Sequence, residues 1–175
     1  MNKQLFAKLA LIAAMGAIGT FAASANAATA TASFQVLMTI QKSCSVTAGT
    51  ASNISLGTVA STATPNNGSN TISVTCSKTT PYNIGMLPSA ANSGTANGTG
   101  NMTTADALAG NTDKVPYTLY SNSGYTTVWG NTIGTNTVTS TGTGLAQSFT
   151  VYAQNVNANF TPDSYADTVG VTVTY

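Results

Sequence analysis

The sequence has no histidine, arginine or glutamate, and charged residues make up only 5% of its 175 positions. With no histidine and only two cysteines, it has too few ligands for a zinc site and no imidazole for base catalysis. Its five lysines and four aspartates form no basic cluster. We therefore expect no metal, no cofactor and no nucleic-acid partner.

The N-terminal residues have the features of a secretory signal peptide. Lys3 and Lys8 supply positive charge, residues 9–23 form an apolar run, and Ala25-Asn26-Ala27 offers small residues around a cleavage position. The run is too short to span a membrane. We predict a signal peptide over residues 1–27, cleavage near Ala27, and a mature chain of one-domain size.

The rest of the sequence is typical of an all-β protein. Short β-type runs occur at 54–59, 71–76, 82–87, 115–120, 126–129, 148–153 and 168–175. Residues that form turns separate them, at 65–68, 97–100, 141–144 and 161–163. Residues 89–100 are small and polar and predict a long mobile loop. This pattern predicts a sandwich or a barrel.

Two segments have apolar residues at every second position. Near the N-terminus the apolar positions are Ala32, Phe34, Val36, Met38 and Ile40, with Leu37 the one apolar residue between them. Near the C-terminus they are Val169, Val171, Val173 and Tyr175. Both patterns predict a strand with one buried face. The first could be an ordinary strand of its own domain, and the second could lie inside a sheet or at an edge.

Cys44 and Cys76 are predicted to form a disulfide, because exported proteins fold in an oxidising compartment. A redox-active pair is the alternative, but such cysteines are usually close in sequence. Closing a loop of roughly 33 residues stabilises a fold by about 3.5–4 kcal/mol on the chain-entropy estimate.

Catalytic residues are hard to find in this sequence. Asp163 and Asp167 could suggest a glycosidase pair, but both flank a turn, where carboxylates commonly bind backbone N–H groups. No nucleophile motif is present, so we expect no enzyme. Five aromatic residues could form a sugar-binding platform or serve in the core: Tyr117, Tyr120, Tyr125, Trp129 and Tyr152.

A family resemblance rests on short stretches spread over the mature chain. They include Ser43-Cys44-Ser45-Val46, Leu56-Gly57-Thr58-Val59 and Val128-Trp129-Gly130, together with residues 72–76, 81–85, 115–120, 149–152, 165–169 and 171–175. In order and spacing they resemble the spore coat protein U family, which includes subunits of archaic, Csu-type chaperone–usher pili.

The resemblance implies an immunoglobulin-like β-sandwich that lacks its last strand. A periplasmic chaperone would fill the gap first, and the N-terminal segment of another subunit would then replace it, by donor-strand complementation. Residues 28–41 would be the donor strand and residues 42–175 the pilin domain. The donor side chains would be Ala32, Phe34, Val36, Met38 and Ile40, and the acceptor strand would present Val169, Val171, Val173 and Tyr175.

The function implied is that of a structural subunit exported through the periplasm to the cell surface. It would polymerise into a pilus for surface attachment and biofilm formation, with copies of itself and related subunits, a chaperone and an outer-membrane usher as partners. A spore-coat or cell-surface coat protein of the same fold is one alternative. A secreted carbohydrate-binding module is another.

Overall fold

A computed structural model describes residues 27–105 and 110–175 of the chain. The predicted signal peptide lies outside the described residues, apart from Ala27. The chain divides into two units, Met1–Met38 and Thr39–Tyr175. The described part of the first unit, residues 27–38, contains no helix or strand.

The second unit is built from strands, of which the described residues form nine. These are β1 (Cys44–Thr47), β2 (Asn66–Cys76), β3 (Pro81–Pro88), β4 (Thr99–Thr104), β5 (Val115–Tyr120), β6 (Val138–Thr141), β7 (Ala146–Asn155), β8 (Tyr165–Ala166) and β9 (Val169–Thr174). Two short 3-10 turns, Thr50–Ser52 and Ala90–Asn92, accompany them. Within the described residues, no helix has the length and apolar composition needed to cross a bilayer.

The strands form two antiparallel sheets. One has the order β1-β2-β7-β5-β4-β8, and the other has the order β6-β3-β9. Alternate residues of β2, β3, β5 and β7 are buried, as expected when one face of each strand packs on a core. The predicted all-β sandwich is therefore confirmed.

The centre of the core holds the only tryptophan of the chain. Trp129 is 1% exposed, and its indole nitrogen donates a hydrogen bond to the carbonyl oxygen of Ile84 at 2.8 Å. The polar end of the ring is therefore satisfied while the ring itself is buried. The other members of the core cluster are Ile72, Val74, Cys76, Tyr82, Ile84, Met86, Tyr117, Leu119, Val151 and Ala153.

Cys44 and Cys76 form a disulfide, as predicted. They lie directly opposite each other in the β1–β2 ladder, with their Cα atoms 4.1 Å apart. Cys76 is buried and belongs to the core cluster. The bond therefore ties the edge strand β1 to a strand of the core.

Two of the predicted strands are wrong. Residues 54–59 form no strand, and residues 126–129 contribute only an isolated bridge between Val128 and Tyr120. The predicted turn at 65–68 is also wrong, because β2 begins at Asn66. Gly68 has no side chain, and the carbonyl oxygen of Ser55 lies where its Cβ would be. Gly68 therefore does not form a turn, and instead lets the backbone at Ser55 approach β2 closely.

The loop predicted over residues 89–100 is observed as the connection between β3 and β4, which covers residues 89–98, and its mobility stays a prediction. The segment contains the Ala90–Asn92 turn and the start of β4. The side chain of Asn101 donates to the carbonyl oxygen of Asn92 at 3.0 Å. Gly98 has a φ of 73°, a left-handed conformation that glycine adopts readily. Small polar residues here give local structure through side-chain to backbone bonds.

Candidate functional site

Strand β9 has one free edge. It pairs with β3 on one side, and no other strand of the described residues pairs with it on the other. Its Val169, Val171 and Val173 are half-buried and contribute to the core. The intervening Gly170, Thr172 and Thr174 are exposed. An edge strand with apolar side chains on one face is a template for pairing with another chain.

A cleft of about 520 Å³ opens beside this edge, between the two sheets. Val169 and Val171 of β9 and Met86 of β3 form one wall. The six-stranded sheet supplies the opposite wall with Ile72, Met102, Tyr117, Leu119, Val151 and Ala153. The lining is therefore mostly apolar, so an apolar strand placed here would remove it from water.

A second cavity of about 620 Å³ adjoins the first. It is lined in part by residues 53–59 and 160–165. The two cavities share Asn53, Ile54, Leu56, Met102 and Tyr165. The two cavities meet at these residues, and we call them together the inter-sheet groove.

Ile54 and Leu56 line both cavities of this groove and pack against the core. Their alternation led to the wrong strand prediction over residues 54–59. In the structure the side chains point inward while the backbone forms no ladder. Two apolar residues two positions apart signal a buried face, but not whether the backbone pairs.

A hydrogen-bonded carboxylate lies in the groove wall. The Tyr117 hydroxyl donates to Oδ2 of Asp167 at 2.6 Å, and the Asn92 side chain donates to Oδ1 at 2.6 Å. Burial, the hydrogen bond and the charge of Asp167 raise the pKa of Tyr117. The Tyr117 hydroxyl therefore keeps its proton and donates it in this hydrogen bond, and both carboxylate oxygens of Asp167 accept a hydrogen bond.

Two other carboxylates, those of Asp163 and Asp113, hold the segment that leads into β9. Oδ2 of Asp163 accepts from the Thr104 hydroxyl at 2.7 Å and from the Asn111 side chain at 2.8 Å, and these bonds lower its pKa. Asp113 accepts from the backbone N–H of Thr161 at 2.8 Å, and its pKa is lowered too. Through these hydrogen bonds Asp163 and Asp113 stabilise the local structure of the chain ahead of β9.

The aromatic residues divide into two groups. Tyr117 and Trp129 belong to the core, as one of the two interpretations predicted. Tyr125 packs edge-on against Tyr120 and Tyr152, with centroids 5.6 and 6.1 Å apart and interplanar angles of 84° and 81°. Such edge-to-face contacts are a preferred packing of aromatic pairs, so these three rings pack on one another.

The predicted donor side chains are among the most exposed apolar groups of the described residues. Phe34 is 88% exposed, Val36 87%, Met38 81% and Ile40 79%. Ala32 is also exposed, and Leu37, on the other face of the alternation, is 82% exposed. Side chains on both faces of this segment are exposed in the described part of the chain.

The predicted acceptor residues are less uniform. Val169 and Val171 line the groove. Val173 packs against the core but does not line the groove. Tyr175 lies beyond the end of β9 and is 55% exposed, so the strand does not extend to it. The donor and acceptor assignments themselves stay predictions.

Sequence reasoning missed Ile54, Leu56, Met102 and the Tyr117–Asp167 pair as parts of the groove. Only the alternation of Ile54 and Leu56 carried a usable signal. The tyrosine and the aspartate are 50 residues apart in sequence. Nothing in either local pattern predicts their contact.

Comparisons with known proteins place the chain in context. The family model of the Spore Coat Protein U domain matches residues 30–172. Among solved structures, a chain of the CsuC–CsuE chaperone–tip adhesion subunit pre-assembly complex, from archaic chaperone-usher Csu pili of Acinetobacter baumannii, is 20% identical with a TM-score of 0.49. That similarity covers 78% of this chain and 41% of the other, so this chain spans less than half of its length. Comparison with curated proteins gives no match.

Proposed function

The chain belongs to the Spore Coat Protein U domain family, and on that basis we propose that it is a structural subunit of an archaic chaperone–usher pilus. It polymerises by donor-strand exchange, in which the N-terminal segment of one subunit enters the inter-sheet groove of another. The polymer mediates surface attachment and biofilm formation.

The observation that carries the proposal is the cleft of about 520 Å³ beside the free edge of β9. Strand addition supplies backbone hydrogen bonds along an edge, while side chains of alternate residues enter pockets. The edge of β9 offers the backbone groups, and Val169, Val171 and Met86 offer apolar lining. A strand added here would pair with the backbone of β9 and would bury the apolar lining.

The exposed N-terminal segment supplies a fitting occupant. Residues 34–40 span about 23 Å as a strand, and the six residues of β9 span about 20 Å. Burying Phe34, Val36, Met38 and Ile40 would contribute roughly 6–12 kcal/mol before the cost of ordering the segment. That gross energy favours a lasting link between subunits.

The proposal also explains the partners and the route of export. The signal peptide directs the chain to the periplasm, where a chaperone covers the groove and prevents aggregation through the exposed edge. An outer-membrane usher then exchanges the chaperone for the donor segment of another copy or a related subunit. The carboxylates of Asp163 and Asp167 accept hydrogen bonds from their own domain, which supports a structural role.

Expression of the chain with and without its chaperone and usher tests this function. With both partners, we expect surface fibres in electron microscopy and a ladder of heat-labile polymers on unheated denaturing gels. Without the chaperone, we expect degradation or aggregation. Abundant soluble monomer without a chaperone would instead indicate a sandwich that is complete by itself.

The name of the family favours a second candidate, a structural protein of a spore or cell-surface coat. The same groove and donor segment would then link subunits into a layer. Electron microscopy separates the two, because a coat protein would give a continuous layer and no fibres.

A further inference from the structure

The place where the chain enters its domain is fixed by a covalent bond. Cys44 is the first residue of β1, and its disulfide partner Cys76 is the last residue of β2. Beside this bond, the backbone N–H of Ser77 donates to the carbonyl oxygen of Ser43 at 2.9 Å. The backbone N–H of Ser43 donates to the Ser77 hydroxyl at 3.0 Å. Residues 43–44 are thereby fastened to residues 76–77.

Strand β1 by itself is a weak attachment. It has four residues, three of them exposed, and it pairs with β2 alone among the described strands. Edge strands with few buried contacts open at low free energy. Tension applied at residue 43 without the disulfide would meet only this short ladder.

Strand β2 is a strong attachment by comparison. It has 11 residues and pairs with β7 from Asn66 to Thr75. Ile72, Val74 and Cys76 are buried in the core. Tension that reaches Cys76 directly is resisted by the longest ladder among the described strands and by the core packing behind it.

We propose that the Cys44–Cys76 disulfide is a tension clamp, which transmits force from the N-terminal segment into β2 and bypasses β1. The inference rests on the proposed function, because a subunit is pulled at this point only if its N-terminal segment is held by another subunit. It goes beyond a stabilising cross-link, since it concerns where force enters the fold.

The clamp also protects the wall of the inter-sheet groove. The disulfide spans 32 positions, and the enclosed loop contains Ile54 and Leu56, which line the groove. While the bond is intact, tension cannot extend this loop. Without it, peeling of β1 would release residues 44–65, up to the start of β2, which is up to about 75 Å of chain per subunit at roughly 3.4 Å per residue. The groove would lose one wall and would bind the incoming strand less tightly.

Pulling single polymers in an optical trap tests the clamp. The test variant is Cys44→Ser with Cys76→Ser. The matched control is Ile84→Ala, which removes side-chain atoms from a fully buried residue of β3 that does not line the groove. Wild-type polymers reduced in place, with loss of the disulfide verified by thiol alkylation and mass spectrometry, provide a second arm if the double variant fails to assemble.

We expect the double variant or the reduced polymer to show extension steps of up to about 75 Å and at least a twofold lower rupture force. Wild-type and Ile84→Ala polymers should rupture without those steps. If verified reduction produces no extension steps and leaves the rupture force unchanged, the clamp is overturned and the pilus function stands. An equal loss in Ile84→Ala would also overturn it, because general stability would then explain the effect. Absence of any wild-type polymer on gels would overturn the pilus function, and the clamp with it.

Discussion

The N-terminal segment and strand β9 carry the same alternation of apolar and polar residues, yet their surroundings differ. Val169, Val171 and Val173 face buried residues across the β3 ladder and are half-buried. Phe34, Val36 and their neighbours are in no strand, and their side chains are about as exposed as side chains can be.

This difference teaches that alternation specifies a face to be buried, but not the partner that buries it. The inward side of β9 meets Met86 and Ile84 of its own domain. The N-terminal segment has equal or greater apolar content and no cover in the described residues. Under the proposed function, another copy buries this segment. Substitutions in β9 should therefore disturb folding, whereas substitutions in the N-terminal segment should disturb polymerisation.

The largest expected effect is that of Val171→Asp in β9. Val171 opposes Met86 and contributes to the core, so the change places an unpaired carboxylate beside buried apolar groups. That costs on the order of several kcal/mol, enough to remove most of the stability of a domain. We expect no folded subunit, even with chaperone present. Thr172→Asp, at the next and exposed position, is the control and should fold; similar loss in both would contradict the assigned faces.

The second effect concerns Val36→Asp or Met38→Asp in the N-terminal segment. Because the segment is not part of its own core, the subunit should fold and co-purify with its chaperone. Polymers should be lost from unheated gels, since the carboxylate would be buried at the subunit junction.

Gln35→Asp and Thr39→Asp are the matched controls, since both lie on the polar side of the same alternation. They should assemble nearly as well as wild type. If Val36→Asp abolishes chaperone binding and leaves no folded subunit, the segment is an internal strand and the donor assignment is wrong.

A smaller effect is expected from Tyr117→Phe in the groove wall. The change removes the hydrogen bond to Oδ2 of Asp167 and leaves that oxygen with one partner fewer. We expect a loss of about 1–3 kcal/mol in the free energy of unfolding. Denaturation of purified polymers can be followed by Trp129, the only tryptophan. Tyr120→Phe, on the opposite face of β5, should change stability by less than about 0.5 kcal/mol.

The smallest effect is a pH dependence from Asp163. Hydrogen bonds from Thr104 and Asn111 lower its pKa below the ordinary value of 3.8, so the carboxylate stabilises the fold above that value. This contribution is lost as the pH falls below 3.8 through the folded-state pKa. Asp163→Asn should therefore lower the melting temperature slightly at pH 7 and much less at pH 2. An equal difference at both pH values would show that ionisation is not the cause.

Much of the fold could be predicted from local patterns. The runs at 71–76, 82–87, 115–120 and 148–153 all lie within observed strands, because each carries alternating residues whose burial needs no special geometry. The predictions at 54–59 and 65–68 failed together, because Gly68 is a strand residue that accommodates the backbone at Ser55. A glycine that follows two asparagines looks like a turn unless the segment that packs on it is known.

The sequence by itself determined an all-β chain, the apolar alternation of the two segments, and the disulfide, since these follow from periodicity and compartment. Tertiary structure decided that β9 is an edge, that residues 54–56 form a groove wall, and that Asp167 bonds Tyr117. The reason is physical: periodicity records which side of a strand avoids water, whereas edges, grooves and distant hydrogen bonds depend on which segments meet in three dimensions.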